Sequence, residues 1–405
     1  NNPHQMNGST RFAVAADHIF DGRTKHENAA VVIERSLIIS LVPRSELTMD
    51  LSIHSLPEGF WLAPGFIDLQ VNGGGDVLFN ESPTPETITK MVVAHRQFGT
   101  TALLPTLITD TFAKMQAATA AAESLVGKNS SVLGIHLEGP FLSPEKAGAH
   151  NPNLIRTPSP SEVELLCAKR RGTLLMTLAP ERVPREFLGR LVKSGVRVSL
   201  GHSMATYTET CAATAEGLTG FTHLFNAMRP LTSREPGPIA RALESDDVWF
   251  GMIVDGIHVD PVVLRIALRG RGRPMLVTDA MPPVGGCRSN FYLYGREIRL
   301  LDGRCLRADG TLAGAALDMA TAVRNCVNLL QVPLEDALRF ASTNPAEFMG
   351  LGDVLGKLCP GHRADMVAID PDSLTVWATW VAGAMEGASH NSSAGSSPRI
   401  TSTTT

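Results

Sequence analysis

Glu138 closes the apolar run Gly134-Ile135-His136-Leu137-Glu138-Gly139-Pro140. Three later segments end in the same way: Gly201-His202-Ser203, Thr222-His223-Leu224-Phe225-Asn226 and Val277-Thr278-Asp279-Ala280. Each sets a histidine or a carboxylate at the C-terminal end of a strand-like stretch. Glu138, His202 and His223 offer one carboxylate and two imidazoles to a divalent cation and leave a coordination position open for water, as in a catalytic zinc-type site. A cation so held lowers the pKa of its water towards neutrality and supplies hydroxide at physiological pH. Asp279 can then act as general base on that water and return the proton to a leaving group. One strand-end histidine is most often structural; the repetition of the pattern points to a single site assembled from several loops.

Such a site needs a scaffold that brings distant strand ends together. Strand-like runs at 66–72, 101–107, 132–138, 174–179, 197–202, 220–225, 250–255 and 275–279 alternate with helix-like segments such as 85–98, 111–126 and 161–169. A βα unit repeated about eight times is the pattern of an α/β fold of the (β/α)8 TIM-like kind, whose active sites lie at the C-terminal ends of the strands. Helices are expected at 317–330 and 334–341, with another opening at Thr343-Asn344-Pro345-Ala346. Both ends of the chain carry short β-rich runs broken by polar turns, at 11–16, 30–34, 37–42, 364–370 and 374–381. The expected organisation is a small β-sandwich domain built from both termini (11–62 and 360–385), with the barrel (63–359) inserted in it. Segments 1–10 and 387–405, polar and rich in Ser, Thr, Gly and Asn, are expected to be disordered tails.

Composition narrows the function. With 405 residues, 43% apolar and 19% charged, the chain has the material for a large core. The net charge is −4 and the only basic cluster, Lys169-Arg170-Arg171, reads as a solvated helix end, so no nucleic-acid partner is expected. The absence of a long apolar run argues against a membrane span. The six cysteines are scattered without a Cys-x-x-Cys pair, which fits reduced thiols. With no signal peptide visible at the start, a cytoplasmic location is expected.

The motifs carry a more specific message. The chain resembles the N-acetylglucosamine-6-phosphate deacetylases of the amidohydrolase superfamily. The similarity covers residues 12 to 381 and includes Pro64-Gly65-Phe66-Ile67-Asp68, His136-Leu137-Glu138-Gly139-Pro140-Phe141, Gly148-Ala149-His150-Asn151-Pro152 and Thr222-His223-Leu224-Phe225-Asn226-Ala227-Met228. It continues through Arg234-Glu235-Pro236-Gly237, Asp255-Gly256-Ile257-His258-Val259-Asp260 and Gly310-Thr311-Leu312-Ala313-Gly314. The resemblance implies that Glu138, His202 and His223 ligate one divalent metal ion per subunit, zinc being expected and iron(II) the alternative. It implies that Asp279 is the catalytic acid/base and that His150 contacts the amide carbonyl. Ala149, His150, Asn226, Ala227, Arg234, His258 and Leu312-Ala313-Gly314 match substrate-contacting positions. A guanidinium and an imidazole suit a sugar phosphate. In such enzymes part of the phosphate site can come from a neighbouring subunit, which implies a homodimer.

One departure is informative. Many amidohydrolases carry His-x-His at the end of the first barrel strand, binding a second metal; here the place reads Gln70-Val71-Asn72. Neutral amides are poor transition-metal ligands, so a single metal is expected. Gln70 and Asn72 face one side of the strand and are expected to reach the site through water. His136 reads as a hydrogen-bonded core histidine, Gly73-Gly74-Gly75 as a mobile loop, Asp68 and Asp255 as residues that orient neighbours, and Asp318 and Met319 as pocket-lining. The expected reaction is hydrolysis of the acetamide of N-acetyl-D-glucosamine 6-phosphate by metal-activated hydroxide, in amino-sugar catabolism. The alternatives are an amidohydrolase acting on a related N-acylated or cyclic-amide substrate, and a catalytically silent sugar-phosphate sensor.

Overall fold

A computed structural model describes residues 11–386; the segments expected to be disordered, 1–10 and 387–405, lie outside the described residues. Eight parallel strands form the central sheet in chain order: Phe66–Val71, Thr100–Ile108, Gly134–Glu138, Thr173–Leu178, Arg197–Leu200, Gly220–Phe221, Trp249–Met252 and Arg273–Leu276. The first three are buried along their whole length, as strands covered on both faces must be. The ring closes where Val71 pairs with Ala280 and the N–H of Asp279 donates to the Gln70 carbonyl at 2.9 Å. This is the (β/α)8 barrel the repeat pattern predicts.

Helix caps fix where each βα loop stops. Thr84 and Thr111 cap Pro85–Arg96 and Phe112–Leu125, and Ser159 with Glu162 and Thr206 with Glu209 form capping boxes on Pro160–Cys167 and Tyr207–Ala215. Strands five to eight end two to four residues earlier than their apolar runs do. After the fifth, sixth and eighth the chain leaves the ladder where His202, His223 and Asp279 adopt left-handed backbone conformations, with φ of 48°, 31° and 51°. Such positions in non-glycine residues cluster where side chains must be re-aimed for function.

Strands from both ends of the chain share a second sheet. Trp61–Pro64 is its seam, parallel to Arg11–Phe20 and antiparallel to Met366–Ile369. Val31, Ile33, Leu62, Met366 and Trp380 pack in one cluster on that β-rich unit.

A four-stranded antiparallel meander, Asn290–Leu293, Arg296–Leu301, Arg304–Leu306 and Leu312–Ala315, stands between the last barrel strand and helix Met319–Leu330. This meander is not among the elements expected from the sequence. Its signals are Tyr294-Gly295 and Asp302-Gly303, with φ of 51°, 72° and 48°, 75°, the pairs of positive φ that tight hairpins require. Its inner face, Phe291, Leu293, Ile298 and Ala313, packs with Ile108 and Met281 at the barrel mouth. Gly73-Gly74, expected to be mobile, pairs with Val77–Leu78 in a small buried ladder. A Cβ on Gly74 would lie 2.7 Å from His95 Nε2, so the loop is held by close packing.

Candidate active site

Glu138 is the last residue of the third strand, while His202 and His223 lie just beyond the fifth and sixth. All three are buried. Glu138 Oε1 lies 3.1 Å from His202 Nε2 and 3.0 Å from His223 Nε2, and the two imidazole nitrogens are 3.2 Å apart. His202 Nδ1 is 2.7 Å from the Lys146 carbonyl, which can only accept, so that nitrogen carries a proton. In neutral His202 the Nε2 lone pair then faces both the carboxylate oxygen and His223. A shared divalent cation satisfies lone pairs converging in this way, and the donor set fits one. Burial opposes ionisation of Glu138, but its close contacts with His202 and His223 hold the carboxyl well below its ordinary range.

Asp279 stands beside this triangle. Asn72 Nδ2 donates to its Oδ1 at 2.6 Å, and Gln70 Nε2 lies 3.3 Å from the same atom while reaching Glu138 Oε1 at 3.1 Å. Gln70 and Asn72 were expected to act through water; they touch the carboxylates directly, because barrel closure sets the first strand against the eighth. Burial, then the charge of Glu138, push the Asp279 carboxyl up to about 6. A carboxylate of that basicity suits proton transfer near neutral pH.

His150 approaches from the loop after the third strand, its Nε2 3.8 Å from Glu138 Oε2. Its Nδ1 accepts from the Thr109 N–H at 3.3 Å and lies 2.8 Å from Thr109 Oγ1. Burial, then the neighbouring His202, lower its pKa to about 3, so it is a neutral imidazole that presents an N–H to the site. Glu138, His150, His202, His223, Asp279, Ala149, Asn226, Ala227, His258, Leu312 and Gly314 line one cavity of about 360 Å³. Ile108, Ile253, Met281, Gly310 and Thr311 also line it, with Thr109 behind, and none of these was expected there from the sequence. They follow the same strand-end and loop positions but are not metal-ligating types, so a search for His and carboxylate passed over them.

The amidohydrolase family model matches residues 61–393. The chain belongs to the amidohydrolase family. This amidohydrolase is 42% identical over 387 residues to the N-acetylgalactosamine-6-phosphate deacetylase of Shewanella sp. (strain ANA-3), covering 93% of this chain and 97% of that one. It is 36% identical over 348 residues to the N-acetylglucosamine-6-phosphate deacetylase of Haemophilus influenzae, covering 85% and 91%. The crystal structure of N-acetylglucosamine-6-phosphate deacetylase from Pasteurella multocida matches with a TM-score of 0.89 at 34% identity, covering 93% of this chain and 99% of that one.

The remaining positions divide. His258 Nδ1 is 2.6 Å from Asp255 Oδ2, and Asp255 also accepts the N–H groups of Ile257 and His258, so Asp255 orients the imidazole as expected. Arg234 is exposed and outside the cavity lining of this amidohydrolase chain. Ala313, between Leu312 and Gly314 on the strand, turns its side chain into the meander core. Asp318 and Met319 do not line the cavity: Asp318 caps Met319–Leu330 by accepting from Thr321, and Met319 is in the core. His136 is a core histidine, 2.9 Å from the Leu69 carbonyl and 2.7 Å from Thr177 Oγ1, with its pKa lowered to about 4 by burial. Among the described residues no helix is long and apolar enough to cross a membrane.

Proposed function

We propose that this amidohydrolase hydrolyses the acetamide of N-acetyl-D-glucosamine 6-phosphate to D-glucosamine 6-phosphate and acetate. The observation that carries the reading is the convergence, on one cavity, of the Glu138–His202–His223 triangle, the basic carboxylate of Asp279 and the neutral donor His150. A divalent cation held by Glu138, His202 and His223, with zinc the first choice and iron(II) the second, supplies Lewis acidity and a water of lowered pKa. Asp279 accepts a proton from the attacking water and passes it to the amine nitrogen as the C–N bond breaks. The His150 Nε2–H donates to the carbonyl oxygen as negative charge grows there. Gln70 and Asn72 hold Asp279 in reach of that water.

The phosphate falls to His258, braced by Asp255, with main-chain groups at Asn226 and Ala227. Arg234 completes the site from the partner in a homodimer, a reading supported by its exposure and its absence from its own protomer's cavity lining. The Shewanella relative supports a second reading, the C4 epimer N-acetylgalactosamine 6-phosphate as substrate. Acetate release from both 6-phosphates and from unphosphorylated N-acetylglucosamine, after metal reconstitution, tests these readings. Turnover of the glucosamine derivative above its epimer is expected; no turnover of either phosphate with any divalent metal overturns the proposal.

A further inference from the structure

A second cavity, of about 330 Å³, lies behind the catalytic one and shares the wall Gly148-Ala149-His150 with it. On its far side it is lined by the meander, including Leu293, Ile298, Arg296 and Arg307. The Arg307 side chain is only 18% exposed, yet its contacts are weak: the Gly148 carbonyl at 3.5 Å and the well-exposed Asp309 at 3.8 Å. Among the described residues no carboxylate lines this cavity, and Arg296 has no ion-pair partner. Removing the Arg307 guanidinium from water without a close acceptor is costly, and with the exposed Arg296 on the same lining the cavity offers two guanidinium groups and no acid to an anion. The rest of the lining includes Ala149, Leu293 and Ile298, which suit a short apolar stem.

We propose that this cavity is a subsite for a carboxylate carried on a short apolar arm of the amino-sugar substrate, bound by Arg307 and Arg296. Gly148, Ala149 and His150 line both cavities, which puts the second beside a molecule held at the catalytic centre. The arm is either the far end of a dicarboxylic N-acyl group or an acidic ether on a ring oxygen. The reaction is unchanged: water adds to the acyl carbon, the C–N bond breaks, the amine leaves with the proton from Asp279 and the acyl group departs as a carboxylate. The inference rests on the proposed amide hydrolysis.

The test compares paired substrates on the metal-loaded protein. N-succinyl-glucosamine 6-phosphate is set against its uncharged N-butyryl counterpart, and a 3-O-carboxyethyl ether of the N-acetyl sugar phosphate against its methyl ester. In one pair the acid is expected to raise kcat/KM by about tenfold over its neutral partner, the scale of one hydrogen bond to a charged group. The pair that shows the preference identifies the arm. In Arg307→Met and Arg296→Met that ratio is expected to fall to about one. No preference for the acid in either pair, or a preference that survives both substitutions, overturns the subsite. The N-acetyl parent separates the two readings: if it is not hydrolysed, the proposed function fails; if it is hydrolysed without acid preference in either pair, only the subsite fails.

Discussion

The main-chain N–H of Thr109 donates to Nδ1 of His150 at 3.3 Å, and this contact sets the proton on the other ring nitrogen. A backbone amide can only donate, so Nδ1 must be a lone pair and Nε2 must carry the hydrogen that faces Glu138 and the cavity. Burial reinforces the result by keeping the ring neutral. The site thus has a donor that can strengthen its bond to a developing oxyanion without bringing a second positive charge beside the proposed metal ligands.

If His150 stabilises that oxyanion, His150→Ala lowers kcat by about 10²–10³, the cost of losing one such donor. Metal content, measured by elemental analysis, is expected to stay at the wild-type value because His150 is not one of the proposed ligating residues. Loss of metal together with rate would instead show that it holds the ion.

Asp279 must be ionised to accept a proton. Its carboxyl is pushed up to about 6 by burial and the Glu138 charge, and a cation between Glu138 and the two histidines draws it lower. The rate profile is therefore expected to fall towards acid with a limb at pH 6 or below. Asp279→Asn is expected to lose about 10²–10⁴ in kcat while keeping its metal. A limb well above pH 7 contradicts this assignment.

Gln70 is the amide that bridges Glu138 and Asp279, at 3.1 and 3.3 Å. Groups that orient a ligand in this way contribute about 10–100-fold to metal affinity or activity. Gln70→Ala is expected to weaken metal retention on titration with a chelator by a factor in that range. An unchanged chelator titration and an unchanged rate would remove Gln70 from the site.

Asp68 gives a stability prediction. It is fully buried, accepts from Thr278 and Gln70, and its carboxyl is raised by burial from 3.8 to about 7. The folded chain therefore keeps a proton that the unfolded chain releases. This stabilisation is fully present below about pH 4 and is lost as the pH rises through about 7. Relative to the wild type, Asp68→Asn is expected to gain urea midpoint steadily from pH 4 to 7 and then level off. A constant difference over that window would show that Asp68 does not titrate there.

Much of this protein could be read from residue types alone. Eight apolar runs separated by helical spacing define a barrel, because strands covered on both faces must be apolar and helices must present one apolar face. Glu138, His202, His223 and Asp279 were legible because metal-ligating side chains at the ends of such runs have no packing purpose that repeats. Gln70 and Asn72 were legible as the absence of a second imidazole pair. Tertiary structure alone decided what they touch, since closing the ring is what sets the first strand beside Asp279. It also decided the proton position on His150, which depends on a backbone N–H about 40 residues away. The meander, and the arginine-lined cavity beneath it, follow from hairpins whose chain-local signals say nothing of where they dock. Local sequence fixes periodicity and chemistry; which distant groups meet depends on packing that many segments determine together.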